Sequence, residues 1–164
     1  MNFESYPFEK LSALTKEITP NKNYSPLALT IGEPQFETPM FIRQKLCDTS
    51  ASLNKYPKTA GEEELKGAML GFVRKNFNAT LKNSELLPTL GTREVLFNFP
   101  QYFLFDKTNP VMAYPNPFYQ IYEGAAIASK ADTIHMNLRS EDGFLPNLEE
   151  LKEHIKNGKK PHIV

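Results

Sequence analysis

The sequence predicts a layered α/β fold with a mostly parallel sheet, incomplete at its C-terminus. Three observations carry that reading. Beyond about residue 90, short apolar runs alternate with segments of helical period, the pattern of strands joined by crossover helices. The stretch "LLPTLGTREVLFNF" leaves an apolar run read as a buried strand, turns at Gly91 and enters a segment with Thr92, Val95, Leu96 and Phe99 at helical spacing. The chain closes on "PHIV". That is how a further strand would begin, so the sheet is expected to continue in a longer protein; a short C-terminal edge strand is the plainer alternative.

Taken in order, residues 1–35 carry several prolines and little periodicity beyond a short helical possibility at Phe8–Ile18, and read as an arm. Residues 36–164 read as the domain proper. Thr38 and Pro39 form a helix start, a hydroxyl N-cap followed by proline at the first helical position. The helix that follows, to about Cys47, would turn Phe41, Ile42 and Leu46 inward. Gly61–Phe77 is the best-marked helix. Leu65, Ala68, Met69, Phe72 and Phe77 share a face, Glu62–Glu64 open it, and Arg74 and Lys75 close it, as the helix dipole favours. Gly67 and Gly71 weaken it by about 1 kcal/mol each against alanine and suit close packing. The helix after Thr92 runs towards Phe105, with a kink or break expected at Pro100. "VMAY" (Val111–Tyr114) and "DTIHM" (Asp132–Met136) read as strands, and Tyr119–Ala128 between them as a helix. Leu148, Leu151 and Ile155 mark a last helix, with Glu149 and Glu150 early, Lys156 late and Gly158 as the stop.

The 164 residues suffice for one ordinary domain with a core. Formal net charge is zero, with only four arginines, which argues against nucleic acid as a partner because its phosphates call for a concentrated basic face. No apolar run approaches the ~20 residues of a membrane span. The N-terminus shows no basic start followed by an apolar stretch, so the cytoplasm is the expected location. Cys47 is the single cysteine, so no disulfide framework and no cysteine metal cluster is expected. His135, His154 and His162 lack metal-site spacing.

Two segments invite chemistry. At Gly91 a helix begins, and a helix N-terminus offers unpaired N–H donors and about half a positive charge. A phosphate seated there would meet the amides of Gly91, Thr92 and Arg93 and the Thr92 hydroxyl. Glycine before a helix is also ordinary turn chemistry, and the residues alone leave both readings open. "YPNPFYQIY" follows the Val111 strand, at the carboxyl end where open α/β sheets collect ligands. Pro115 and Pro117 would stiffen it as a loop. Phe118, Tyr119 or Tyr122 could offer a face to a flat ring, or all three could be core.

Four segments in register give these sites a setting. "IGEPQFETP", "KYPKTAGEEELKGAM", "LPTLGTREVLF" and "YPNPFYQIY" resemble, in this order, successive blocks of the class I/II (fold-type I) pyridoxal-phosphate-dependent aminotransferases. The resemblance is continuous from about Ile31 to Tyr122. "YPFEKL" and "GTREVLFNFPQ" look closest to bacterial aspartate and succinyldiaminopimelate aminotransferases. The resemblance implies a three-layer α/β/α sandwich and pyridoxal 5'-phosphate as cofactor. It implies amino acid and 2-oxo acid substrates, a homodimer, and amino-group transfer between the substrates, with succinyldiaminopimelate or aspartate and 2-oxoglutarate as candidates. By position, Gly91, Thr92 and Arg93 would bind the cofactor phosphate and Tyr119 would stack on its ring. Tyr56 would reach the phosphate in the partner's site, and Gly32 would lie near the substrate carboxylate.

The chain departs from the commoner pattern at Gln35, where acidic residues are frequent, and at Tyr119, where tryptophan is frequent. The family's S-x-S-K-x-x-x-x-G-x-R-x-G block, which carries the lysine that bonds the cofactor, has no counterpart here. Ser129-Lys130 is the only Ser-Lys pair, in "SKADTIHM", and does not match it. The chain alone is therefore expected to bind the cofactor weakly at best and not to transaminate. A non-catalytic α/β phosphate- or cofactor-binding domain is the alternative.

Overall fold

The computed structural model describes residues 5–27 and 29–164; Met1–Glu4 and Ala28 of the expected arm lie outside them. The chain forms two compact units that divide between Pro88 and Thr89.

The unit Ser5–Pro88 is helical, with no strand among its described residues. It holds α1 (Pro7–Thr15), α2 (Met40–Asp48) and α3 (Glu63–Phe77). The capping reading at Thr38 shifts by one residue: Pro39 is the N-cap of α2, and no side chain caps that helix. Helix α3 opens on Glu63 and Glu64 and closes with Arg74 and Lys75 before a left-handed Asn78. The faces read as core are not covered. Phe41, Ile42 and Leu46 on α2, and Leu65, Phe72 and Phe77 on α3, are all exposed. Periodicity marks a stripe that wants cover, and cover must come from a second layer, which this unit lacks among its described residues. The buried residue of α3 is instead Lys66, set beside a hollow lined by Asn83–Leu87. Gly67 and Gly71, read as close-packing positions, have open space where a Cβ would project. Gly61 is the tight one: with φ +85°, a Cβ there would fall 2.5 Å from Pro88 Cγ.

The unit Thr89–Val164 is the α/β part. It runs α4 (Thr92–Leu104), β1 (Val111–Asn116), α5 (Ile121–Ala128), β2 (Asp132–Asn137) and α6 (Leu148–Lys156). Strands β1 and β2 are parallel, with Val111 opposite Asp132 and Asn116 opposite Asn137. On the other side of β1, Ile163 makes a parallel bridge to Met112. The His162 amide donates to the Val111 carbonyl at 2.8 Å and the Ala113 amide to the Ile163 carbonyl at 2.9 Å. The strand onset read in "PHIV" is therefore present, and β1 is central. Centrality explains why Val111–Tyr114 are all buried, an unbroken apolar run rather than an alternating one.

Alternate side chains of β1 serve two cores. Met112 and Tyr114 pack with Leu104 of α4 and with Ala125 and Ala126 of α5, whereas Val111 and Ala113 pack with Ile134, Met136 and Leu151 of α6. Helices thus lie on both faces of a parallel sheet, the three-layer arrangement expected. Helix α6 follows its sequence signals: Asn147 Oδ1 accepts from the amides of Glu149 (3.0 Å) and Glu150 (3.2 Å), and Gly158 follows the end.

Three readings are corrected. Helix α4 is not broken at Pro100, which lies inside it and is buried; packing of that face retains a helix that loses one backbone bond. Leu86–Leu90 form no strand: Leu87 and Leu90 are exposed, and no neighbouring strand pairs with them among the described residues. Pro115 belongs to β1, opposite Met136, rather than to the loop. Val111 and Ala113 turn their backbone groups towards His162 and Ile163. Strand alternation turns Pro115 the same way, so its missing N–H costs the ladder to β2 nothing.

Candidate functional site

Helix α4 begins at a glycine in an unusual conformation. Gly91 is its N-cap with φ +86° and ψ 165°, a region essentially reserved for glycine. A Cβ there would meet no atom within 4 Å, so the turn opens on free space. No side chain caps the helix. Among the described residues, no carbonyl accepts a hydrogen bond from the amides of Gly91, Thr92 or Arg93. A cluster of free donors with the positive helix end behind it attracts an anion.

The Arg93 side chain links this turn to Tyr119. Tyr119 follows β1 in the loop that leaves the strand's carboxyl end, and the Arg93 guanidinium carbon stands 5.9 Å from its ring centroid, within cation–π range. Tyr122 supports the ring edge-on at 6.0 Å. The three aromatics of "YPNPFYQIY" separate by environment. Phe118 and Tyr122 pack against the core cluster around Met112 and Tyr114, while Tyr119 is 45% exposed. Of the candidate faces for a flat ring, Tyr119 is the open one.

The structure thus places Gly91, Thr92 and Arg93 at one helix start and brings the Arg93 guanidinium to Tyr119. Tyr56 and Gly32 belong to the unit Ser5–Pro88, where both are exposed; a Cβ at Gly32 would meet nothing within 4 Å.

Two features near the site were not singled out in the sequence. The Leu90 amide donates to Glu94 Oε2 at 2.7 Å. A glutamate three positions after the N-cap is the signal that could have found it. The other is Tyr114, whose hydroxyl lies 3.2 Å from His135 Nε2. Burial, with the Glu123 charge secondary, raises the phenol above its ordinary value. No local pattern announces that pair, since β1 and β2 meet only in the sheet.

Comparison with known proteins identifies the family. The family model for aminotransferase class I and II matches residues 25–164. The LL-diaminopimelate aminotransferase of Dehalococcoides mccartyi strain BAV1 is 29% identical over 157 residues, covering 94% of this chain and 40% of that protein. That of Syntrophobacter fumaroxidans is 30% identical, over 89% of this chain and 38% of its own length. Among solved structures, the aminotransferase AspB of Helicobacter pylori is 57% identical with a TM-score of 0.85, over 93% of this chain and 41% of that one. An aminotransferase of Neisseria meningitidis is 34% identical with a TM-score of 0.80, over 93% of this chain and 39% of its own. The chain therefore spans about two fifths of the length of the relatives it matches. With the family model covering most of its residues, the chain belongs to the class I and II aminotransferases, a family that depends on pyridoxal phosphate.

Proposed function

We propose that this chain carries the phosphate- and ring-binding part of an aminotransferase that moves an amino group between an amino acid and a 2-oxo acid. The observation that carries the reading is the open Gly91 turn, whose Arg93 side chain reaches the exposed Tyr119 ring. The residues fit the cofactor. A glycine-only backbone leaves room for close approach of a phosphate, free amides and a guanidinium supply donors, and an aromatic ring lies within reach of that guanidinium.

In this reading the amides of Gly91, Thr92 and Arg93, with the Thr92 hydroxyl and the Arg93 guanidinium, hold the phosphate. Tyr119 bears on the ring and limits its tilt. When bound, pyridoxal phosphate supplies the electron-accepting ring that makes the amino acid's Cα proton removable. Tyr56 reaches the phosphate of a partner subunit in a cytoplasmic homodimer, and Gly32 borders the substrate carboxylate. Residues 1–35 serve as the arm and 36–164 as the first part of the cofactor domain. Substrates of the aspartate and diaminopimelate kind are supported by the names of the relatives: several are LL-diaminopimelate aminotransferases, and one is a probable aspartate/prephenate aminotransferase of Aquifex aeolicus.

The chain of residues 1–164 lacks the block bearing the cofactor-bonding lysine and is inactive by itself. Incubating it with pyridoxal phosphate, aspartate and 2-oxoglutarate, and following glutamate formation, is expected to show no turnover. Turnover that depends on this chain overturns the reading. Phosphate-dependent binding of the cofactor, weakened by G91A, is expected in the full-length protein.

A further inference from the structure

We infer that Glu94 is a positioning residue for the phosphate-binding turn, an inference that rests on the reading of that turn given above. Glu94 occupies the third position of α4. In a capping box a glutamate there accepts from the amide of the N-cap itself. Here Oε2 accepts from the amide of Leu90, one residue earlier, at 2.7 Å, the length of a charge-assisted bond. Had it taken the Gly91 amide, it would have consumed one of the donors that face the open space. By taking Leu90 instead, it ties down the residue before the turn and leaves the donors of Gly91, Thr92 and Arg93 unclaimed. The Thr89 hydroxyl ties the turn from the other side, donating to the Gly91 carbonyl at 3.4 Å. Between these two ties Gly91 holds its extended, positive-φ conformation.

The carboxylate brings a cost as well as a benefit. Its charge opposes a phosphate, while its reach aligns the turn. Two substitutions separate these effects. Gln keeps the reach and an acceptor oxygen without the charge. Asp keeps the charge and suits a first helical turn, but is one methylene short of Leu90.

The test compares pyridoxine 5'-phosphate with pyridoxine, which differ only in the phosphate and neither of which bonds to a lysine. Dissociation constants of both are measured by calorimetry on the full-length protein and its E94Q, E94D and E94A variants, with thermal melts to establish folding. The wild type is expected to prefer the phosphorylated ligand. The preference is expected to shrink by about tenfold in E94D and E94A and to stay intact in E94Q, with pyridoxine binding unchanged throughout. A wild type without phosphate preference overturns the reading of the site itself. A wild type with that preference, kept in full by E94D, overturns the role of Glu94 alone, and so does an E94Q variant that loses as much as E94D. If E94A fails to fold, E94D and E94Q decide.

Discussion

Gly91 holds backbone angles that any side chain would strain, although nothing nearby would obstruct a Cβ. G91A is therefore expected to lose about 1–3 kcal/mol of stability, read from urea midpoints, and to weaken cofactor binding because relaxing the strain rotates the amides. Tyr119 calls for a different comparison. Y119F keeps the ring and is expected to bind pyridoxal phosphate like the wild type, while Y119A weakens it by roughly two- to tenfold, the worth of an aromatic contact; equal loss in both variants would mean the hydroxyl, not the face, matters. Tyr114 gives a pH dependence. Burial raises its pKa above the ordinary 10.0, so the folded state holds the proton more tightly than the unfolded chain. The associated stability is complete below about pH 10 and is lost as pH rises through the raised value. Denaturation midpoints measured from pH 8 to 11.5 are expected to fall at the alkaline end, and to fall less in Y114F. The glycine and the tyrosines were visible as residues; the pairing of Arg93 with Tyr119 was not, because it joins the start of α4 to a loop after β1.

Helix α6 owes its start to local chemistry that a sequence displays. Asn147 accepts from two first-turn amides of α6, and N147A is expected to cost about 1 kcal/mol, with N147D or N147S largely restoring it; a neutral N147A would show that tertiary packing alone holds the helix. Strand β2 is anchored through Ile134, 2% exposed between β1 and α6. I134A is expected to lose about 2–5 kcal/mol, measured by chemical denaturation. Helix α4 shows where local signals mislead. Proline removes a donor, and a break at Pro100 follows from propensity, yet α4 continues to Leu104 because burial of that turn outweighs one missing bond. Likewise Pro115 stands inside β1, since its missing N–H faces away from β2. A sequence lists the proline but not the side of the strand on which it falls.

At the scale of the molecule, apolar surface dominates behaviour. Phe41, Leu46, Leu53, Leu65, Phe72 and Phe77 are all exposed in the unit Ser5–Pro88. Faces of this kind drive association, so the chain of residues 1–164 is expected to elute from a sizing column ahead of a monomer and to bind a hydrophobic dye; a clean, dye-free monomer would contradict this. Among the described residues no helix is long and apolar enough to cross a membrane. The sequence by itself determined the order and type of the helices and strands from α4 to α6, that a glycine turn opens α4, and that a further strand begins near Ile163. These follow from periodicity, caps and turn residues, which act within a few positions of the chain. Only the tertiary structure decided that β1 is central and that the apolar stripes of α2 and α3 are uncovered. It also set the Arg93 guanidinium against the Tyr119 ring. Cover and proximity depend on which distant segments meet, and solvent exclusion is settled by the layers that assemble, not by the pattern any one of them carries.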